Sequence, residues 1–175
     1  MIKTKTDYFI TPDHENDAYR SLLAKIKINE KVYIDDAVLI VNVSPDYSSI
    51  ITQRLRHALS IKGEILEVVN IEVPYPDETD IEKYADAIKK LVGEIPENYT
   101  KFIFVEAGII RGGNYTMINE LFKLRYDSTQ LLFTALFENI GSIFQSDCVG
   151  EYYDDSKRDL TFYWEEFNNH WQWNN

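Results

Sequence analysis

Between residues 37 and 137, short apolar runs alternate with segments whose apolar residues recur every three or four positions. The run "AVLIVNV" (Ala37 to Val43) is continuous and β-branched, which predicts a strand buried on both faces. "SIITQRLRHALSI" then places Ile50, Ile51, Leu55, Ala58 and Leu59 at helical spacing, with Gly63 suited to the helix exit. "EILEVVNIEV" (64 to 73) predicts a second strand, and the prolines of "VPYPDETD" predict a loop. Thr79 and Glu82 have the spacing of a capping box. The helix they would open carries Ile81, Tyr84, Ala85, Ile88, Leu91 and Val92 on one face, and Gly93 and Pro96 close it. "KFIFVEA" predicts a third strand, "TMINELFKLRY" a helix with Met117, Ile118, Leu121 and Phe122 inward, and "QLLFTALF" (130 to 137) a fourth strand. Upstream, "DAYRSLLAKIKI" sets Tyr19, Leu22, Leu23 and Ile26 on one helical face.

This alternation predicts an α/β fold: a doubly wound, mostly parallel sheet with helices on both faces and right-handed crossovers. The length of 175 residues fits one domain over 1–175, with its core at 37–137 and an aromatic C-terminal segment at 147–175. In that segment "LTFYW" reads as an added edge strand. Its Trp, Tyr and Phe residues suit packing over the end of the sheet, or the face of a homodimer. Ligands of such sheets bind outside the carboxyl ends of the strands. Two loops therefore matter most, "SPDYSS" after the first strand and "AGIIRGGN" after the third.

The net charge of −11 repels phosphate backbones and argues against nucleic acid as a partner. No apolar run approaches the roughly 18 residues of a membrane span. The N-terminus has no apolar signal core, and Cys148 is the only cysteine, so a cytoplasmic location is expected. His14, His57 and His170 stand too far apart for metal-ligand spacing.

The stretch "FIFVEAGIIRGGNYT" carries the main chemistry. Gly112 and Gly113 can take positive φ and let the backbone approach a ligand. Backbone N–H groups at a helix start bind anions. Asn114 and Thr116 add side-chain donors, Arg111 adds a positive charge, and Glu106 can accept from sugar hydroxyls. A carboxylate followed by a phosphate cradle would span one ribose 5-phosphate. A glycine pair serves a plain strand-to-helix turn equally well.

The same stretch resembles the signature of type I phosphoribosyltransferases, in which an apolar strand ends in two acids and a Thr-Gly-Gly-Thr-like loop follows. The resemblance places Glu106 on the first acid and Ala107 on the second. Arg111 falls on the first threonine, Gly112 and Gly113 on the glycines, and Asn114 on the closing threonine. It implies that Glu106 holds the ribose and that the loop from Arg111 through Asn114, Tyr115 and Thr116 holds the 5-phosphate. "VLIVNVSPDYSSIITQRLRHALSIKG" resembles the first core strand, diphosphate loop and helix of that family, which implies ligand contacts for Ser44, Asp46 and Ser48. "SDCVGEYYDDSKRDLTFYWEEF" resembles the C-terminal purine-base segment. There Asp147, Val149 and Gly150 match, which implies a ligand contact for Val149. Asp155 falls on an acid near the diphosphate and metal, with Mg²⁺ as the implied cofactor.

The departures weigh against ordinary transfer. Ala107 removes an acid, Arg111 is bulky where a hydroxyl sits, and Cys148 replaces an aromatic that stacks on the purine. Asp46 would repel diphosphate unless Mg²⁺ lay between them. The interval from 73 to 92 has no evident long β-ribbon to close over the reacting centre. Three readings stay open. The first is a phosphoribosyltransferase-like protein that binds phosphoribosyl diphosphate or a nucleotide with transfer weakened or lost. The second is an active, divergent purine-type enzyme. The third is a non-catalytic scaffold or regulatory protein.

Overall fold

The computed structural model describes residues 6–29, 37–60, 65–72, 81–154, 156 and 158–162. A strand β1 (Thr6–Ile10) leads into helix α1 (Pro12–Ile28). There follow β2 (Val38–Val43), α2 (Pro45–Leu59), β3 (Glu67–Ile71), α3 (Ile81–Glu94), β4 (Lys101–Ile109), α4 (Gly113–Phe122), β5 (Leu131–Asn139), β6 (Cys148–Tyr153) and β7 (Arg158–Phe162). Five strands form a parallel sheet in the order β3-β2-β4-β5-β6. The expected doubly wound α/β architecture is present.

The sequence pattern explains the layers. Alternate residues of β2 and β4 face opposite sides, so Ile40, Ile103 and Val105 join α1 and α2 in one core, with Leu22, Ile26, Ile51 and Leu55. Leu39, Val41, Phe102 and Phe104 join α3 and α4 in the other, with Tyr84, Ile88, Ile118 and Phe122. The β2-to-β3 connection runs one way along the sheet and lies on the α1/α2 face. The β3-to-β4 and β4-to-β5 connections run the other way and lie on the opposite face, as a single crossover hand requires. The strand order therefore reverses between β2 and β4, which is where such sheets open a crevice.

Two features depart from the periodicity. β6 joins the sheet parallel to β5 through residues 140–147, with no helix between them. Phe144 does the work of a crossover helix: its ring meets Phe133 at 4.8 Å and Tyr115 at 5.5 Å between centroids. β7, predicted as an edge strand, pairs instead with β1 in a separate two-stranded parallel sheet. Phe162 of β7 packs on Phe137 of the main sheet. Helix α1 lies directly on β6. A Cβ at Gly150 would stand 2.6 Å from the Ala18 carbonyl oxygen and 2.5 Å from that of Leu136, so only glycine permits this approach. Thr79, the expected cap of α3, and residues 163–175 of the aromatic tail lie outside the described residues.

Candidate functional site

The site is built where neighbouring strands stop at different heights. β2 ends at Val43, whereas β4 continues to Ile109. Beyond β2 the exposed flank of β4 needs other partners. Ser48, buried in the first turns of α2, supplies one: its hydroxyl accepts from the Ala107 N–H at 2.9 Å. The turn into α2 is equally specific. Ser44 adopts φ 54° and ψ 66°, the only non-glycine positive φ among the described residues. Its N–H donates to the Ile71 carbonyl at 3.1 Å, and its own carbonyl accepts from Tyr47 and Ser48 at 3.0 Å. Its side chain does not cap the helix. It points across to β4, where its hydroxyl lies 3.4 Å from Glu106 Oε1.

Glu106 thus sits at the reversal point. It follows Phe102 and Phe104 on the face covered by α3 and α4, and it is 8% exposed. Burial pushes its carboxyl up to about 8, and the Ser44 hydroxyl offsets this only in part. The carboxyl is therefore protonated at neutral pH and can both donate and accept a hydrogen bond. Tyr84 of α3 and Tyr115 of α4 are held well above the ordinary tyrosine range, first by burial and then by the Glu106 charge. Tyr115 donates to the Thr134 carbonyl at 2.6 Å, so its hydroxyl is committed to the fold. The Tyr84 hydroxyl, equally buried, has no partner.

The glycine pair divides its tasks. Gly112 precedes α4 with φ 79° and is packed against the β5–β6 crossover. A Cβ there would lie 2.4 Å from Ser142 Oγ and 2.9 Å from the Phe144 nitrogen. Ile143 N–H donates to the Arg111 carbonyl at 3.1 Å, and Asn139 Nδ2 donates to that of Ile110 at 2.9 Å, clamping the loop. Gly113 differs: a Cβ there would meet nothing within 4 Å. It is the first residue of α4, whose N-terminus has no side-chain cap. Thr116 donates back to the Gly112 carbonyl at 3.0 Å. Arg111 and Gly113 are exposed, while Asn114 and Thr116 are half-buried.

The predicted residues therefore fall into groups. Ser44, Glu106 and the Arg111–Thr116 segment gather at the ends of β2 and β4, with Asp46 exposed on the first turn of α2. Ser48 and Tyr115 are buried with their hydroxyls engaged by the backbone. Val149 lies level with Ala135, and Ala135 with Glu106, so two strand spacings, about 10 Å, separate Val149 from Glu106. Cys148 faces the α1 side, on the opposite face of the sheet from Glu106. Asp155 lies outside the described residues. Among the described residues no three His, Cys, Asp or Glu side chains gather to hold a metal. Asp46, on the first turn of α2, is the exposed described carboxylate at that edge. The helical spacing puts Tyr84 on the inward face of α3 but does not report that its hydroxyl is left without a partner there.

No family model matches the sequence, and no curated protein matches it. Solved structures do match the fold. The Helicobacter pylori xanthine-guanine-hypoxanthine phosphoribosyltransferase aligns over 97% of this chain and 99% of its own, with a TM-score of 0.68 and 10% identity. The chain has a type I phosphoribosyltransferase-like fold. A purine phosphoribosyltransferase from Pyrococcus horikoshii covers 90% of this chain and 93% of its own, with a TM-score of 0.60 and 17% identity. A hypoxanthine-guanine phosphoribosyltransferase from Leishmania tarentolae, solved with GMP, covers 83% of this chain and 81% of its own, with a TM-score of 0.59 and 13% identity. The phosphoribosyltransferase fold here includes β6 and α1, beyond the 37–137 alternation. No described helix is long and apolar enough to cross a membrane.

Proposed function

We propose that this chain binds a ligand containing ribose 5-phosphate, phosphoribosyl diphosphate or a nucleotide, at the ends of β2 and β4, with transfer chemistry weakened or lost. The observation that carries the reading is the uncapped start of α4 at Gly113, reached by the loop that leaves the strand bearing the buried carboxyl of Glu106. Free N–H groups at a helix start favour an anion, and the open space before Gly113 admits a phosphate. Glu106 and Ser44 take the sugar hydroxyls. Arg111 and Asn114 flank the phosphate, and Mg²⁺ accompanies a diphosphate-bearing ligand with Asp46 near it. The solved structure with GMP supports the ligand class by fold likeness.

Weak transfer is supported by the state of Glu106. An oxocarbenium-like centre develops positive charge, and a carboxyl that stays neutral at pH 7 gives it little stabilisation. Ala107 faces the other side of the sheet and supplies no second acid. An active, divergent enzyme remains the reading to separate from this one, and pH separates them: turnover would rise as Glu106 ionises near pH 8.

The test is calorimetric titration with phosphoribosyl diphosphate, ribose 5-phosphate and GMP, with and without Mg²⁺, for the wild type and Gly113→Val. Saturable binding lost in Gly113→Val, with diphosphate release from phosphoribosyl diphosphate flat across a panel of bases at pH 7, is the expected result. Absence of binding to all three would overturn the reading and turn the search to protein partners of the scaffold, including a second copy of the chain.

A further inference from the structure

Three exposed isoleucines stand on one clamp at the carboxyl end of the sheet. Ile110 follows β4, and Ile140 and Ile143 lie in the β5–β6 crossover; they are 54%, 60% and 77% exposed. The backbone fixes them there. Ile143 N–H donates to the Arg111 carbonyl at 3.1 Å, Asn139 Nδ2 to that of Ile110 at 2.9 Å, and Ile140 N–H to that of Tyr153 at 2.8 Å. One exposed isoleucine is ordinary, but three on joined loops make an apolar surface of the kind that a partner covers. Arg111, also exposed, stands between Ile110 and the start of α4.

The last described residue, Phe162, lies beside this surface. Helix α1 begins with His14 against Phe137 and Glu151 and ends with Asn29 against Cys148, so it starts at the carboxyl end of β6. Ile10, just upstream of α1, and its partner Phe162 in β7 are therefore at that end too. The Phe162 ring meets Phe137 at 5.7 Å, and a Cβ on Gly108 would stand 3.5 Å from it. Gly108 is two residues from Ile110, and Phe137 three from Ile140, which is about 10 Å of strand at most. The residues that follow, 163–175, could reach about 45 Å if extended.

We propose that the surface of Ile110, Ile140 and Ile143 is a docking site for the chain's own segment 163–175. The segment carries Tyr163, Trp164, Phe167, Trp171 and Trp173, which supply apolar area for the isoleucines, and Glu165 and Glu166, which supply charge for Arg111. Its tether starts beside the surface, so docking is intramolecular and has a high effective concentration. A second copy is the poorer occupant, because it would bring a net charge of −11 against the −11 already present. Seated there, the segment borders Gly112 and Gly113 and makes a strap along the loop that opens α4. This inference does not depend on which ligand the start of α4 takes.

Trp164, Trp171 and Trp173 are the only tryptophans of the chain, so tryptophan emission reports this segment alone. The experiment measures emission and its quenching by acrylamide in the full chain, for the wild type, Ile140→Ser/Ile143→Ser, and Arg111→Glu. Leu124→Ser is the control, an equally exposed apolar residue beyond the far end of α4. The wild type should be protected from acrylamide relative to the urea-unfolded chain. The double variant and Arg111→Glu should each shift emission to the red and raise quenching towards the unfolded value, with urea midpoints from circular dichroism unchanged. Leu124→Ser should match the wild type. Wild-type quenching equal to that of the unfolded chain overturns the proposal. So does protection that survives both Ile140→Ser/Ile143→Ser and Arg111→Glu, since the segment would then pack elsewhere. Protection that disappears on dilution also overturns it, and assigns the surface to the segment of a second copy.

Discussion

Replacing Glu106 by glutamine should remove an alkaline weakness of the fold. In the native chain the carboxyl holds its proton to about pH 8 because it is buried between β4, α3 and α4. In the unfolded chain it ionises near 4.5. Between those values the native state binds the extra proton, so stability from this group is full below pH 4.5. It declines as pH rises and levels off above pH 8. At roughly 1.4 kcal/mol per pH unit, the interval corresponds to a ceiling of about 5 kcal/mol. That is comparable with the whole stability of many domains, about 5–15 kcal/mol.

Glutamine has the size of the protonated carboxyl and does not titrate. Glu106→Gln should therefore match the wild type at pH 4.5, exceed it by about 3 kcal/mol at pH 7, and exceed it by about 5 kcal/mol at pH 9. Urea unfolding of both proteins at those three pH values measures this. The comparison cancels every other titrating group common to the two chains, including Tyr84 and Tyr115, which burial keeps protonated throughout. A difference that stays flat from pH 4.5 to pH 9 would refute the reasoning. It would mean that Glu106 ionises normally in the folded chain, and the argument for weak transfer from its neutral state would go with it.

Gly112→Ala should cost about 2–4 kcal/mol, from its positive φ and from the clash with Ser142 and Phe144, whereas Gly113→Ala should change stability by less than about 1 kcal/mol. Urea midpoints of the two variants check this, and equal midpoints would count against the clamped loop. Ser48→Ala should cost about 1–3 kcal/mol by orphaning the Ala107 N–H, with faster hydrogen exchange at that amide as its direct signature.

Much of the fold is legible in the sequence because its strands are buried on both faces. Continuous apolar runs such as Val38–Val43 and Leu131–Asn139 have few other readings once helices with one apolar face stand between them. β6 was not legible as a sheet strand, because its crossover carries no helical pattern and depends on Phe144 finding Tyr115 and Phe133. The pairing of β7 with β1 joins residues about 150 positions apart, which no local pattern reports. In the site, Gly112 and Glu106 were legible as residue types. The buried task of Ser48 was not, since the amide it serves lies 59 positions away. Nor was the protonated state of Glu106, which is a property of α3 and α4 closing over it rather than of its neighbours in sequence.

The low identity of the matching structures, 10–17%, fits what the site is made of. A strand that stops short, a residue twisted at the start of α2 and an uncapped start of α4 are backbone features that many sequences can produce. On the reading proposed above, they hold a place for a sugar phosphate. Any chemistry there would depend on a few side chains, among them a Glu106 that burial keeps neutral and an Ala107 turned to the other face. Retained backbone with altered side chains should separate binding from turnover. Substitutions that distort the start of α4 should abolish affinity for every phosphorylated ligand. Substitutions at Glu106 should change which sugar is accepted, and leave phosphate affinity as it was.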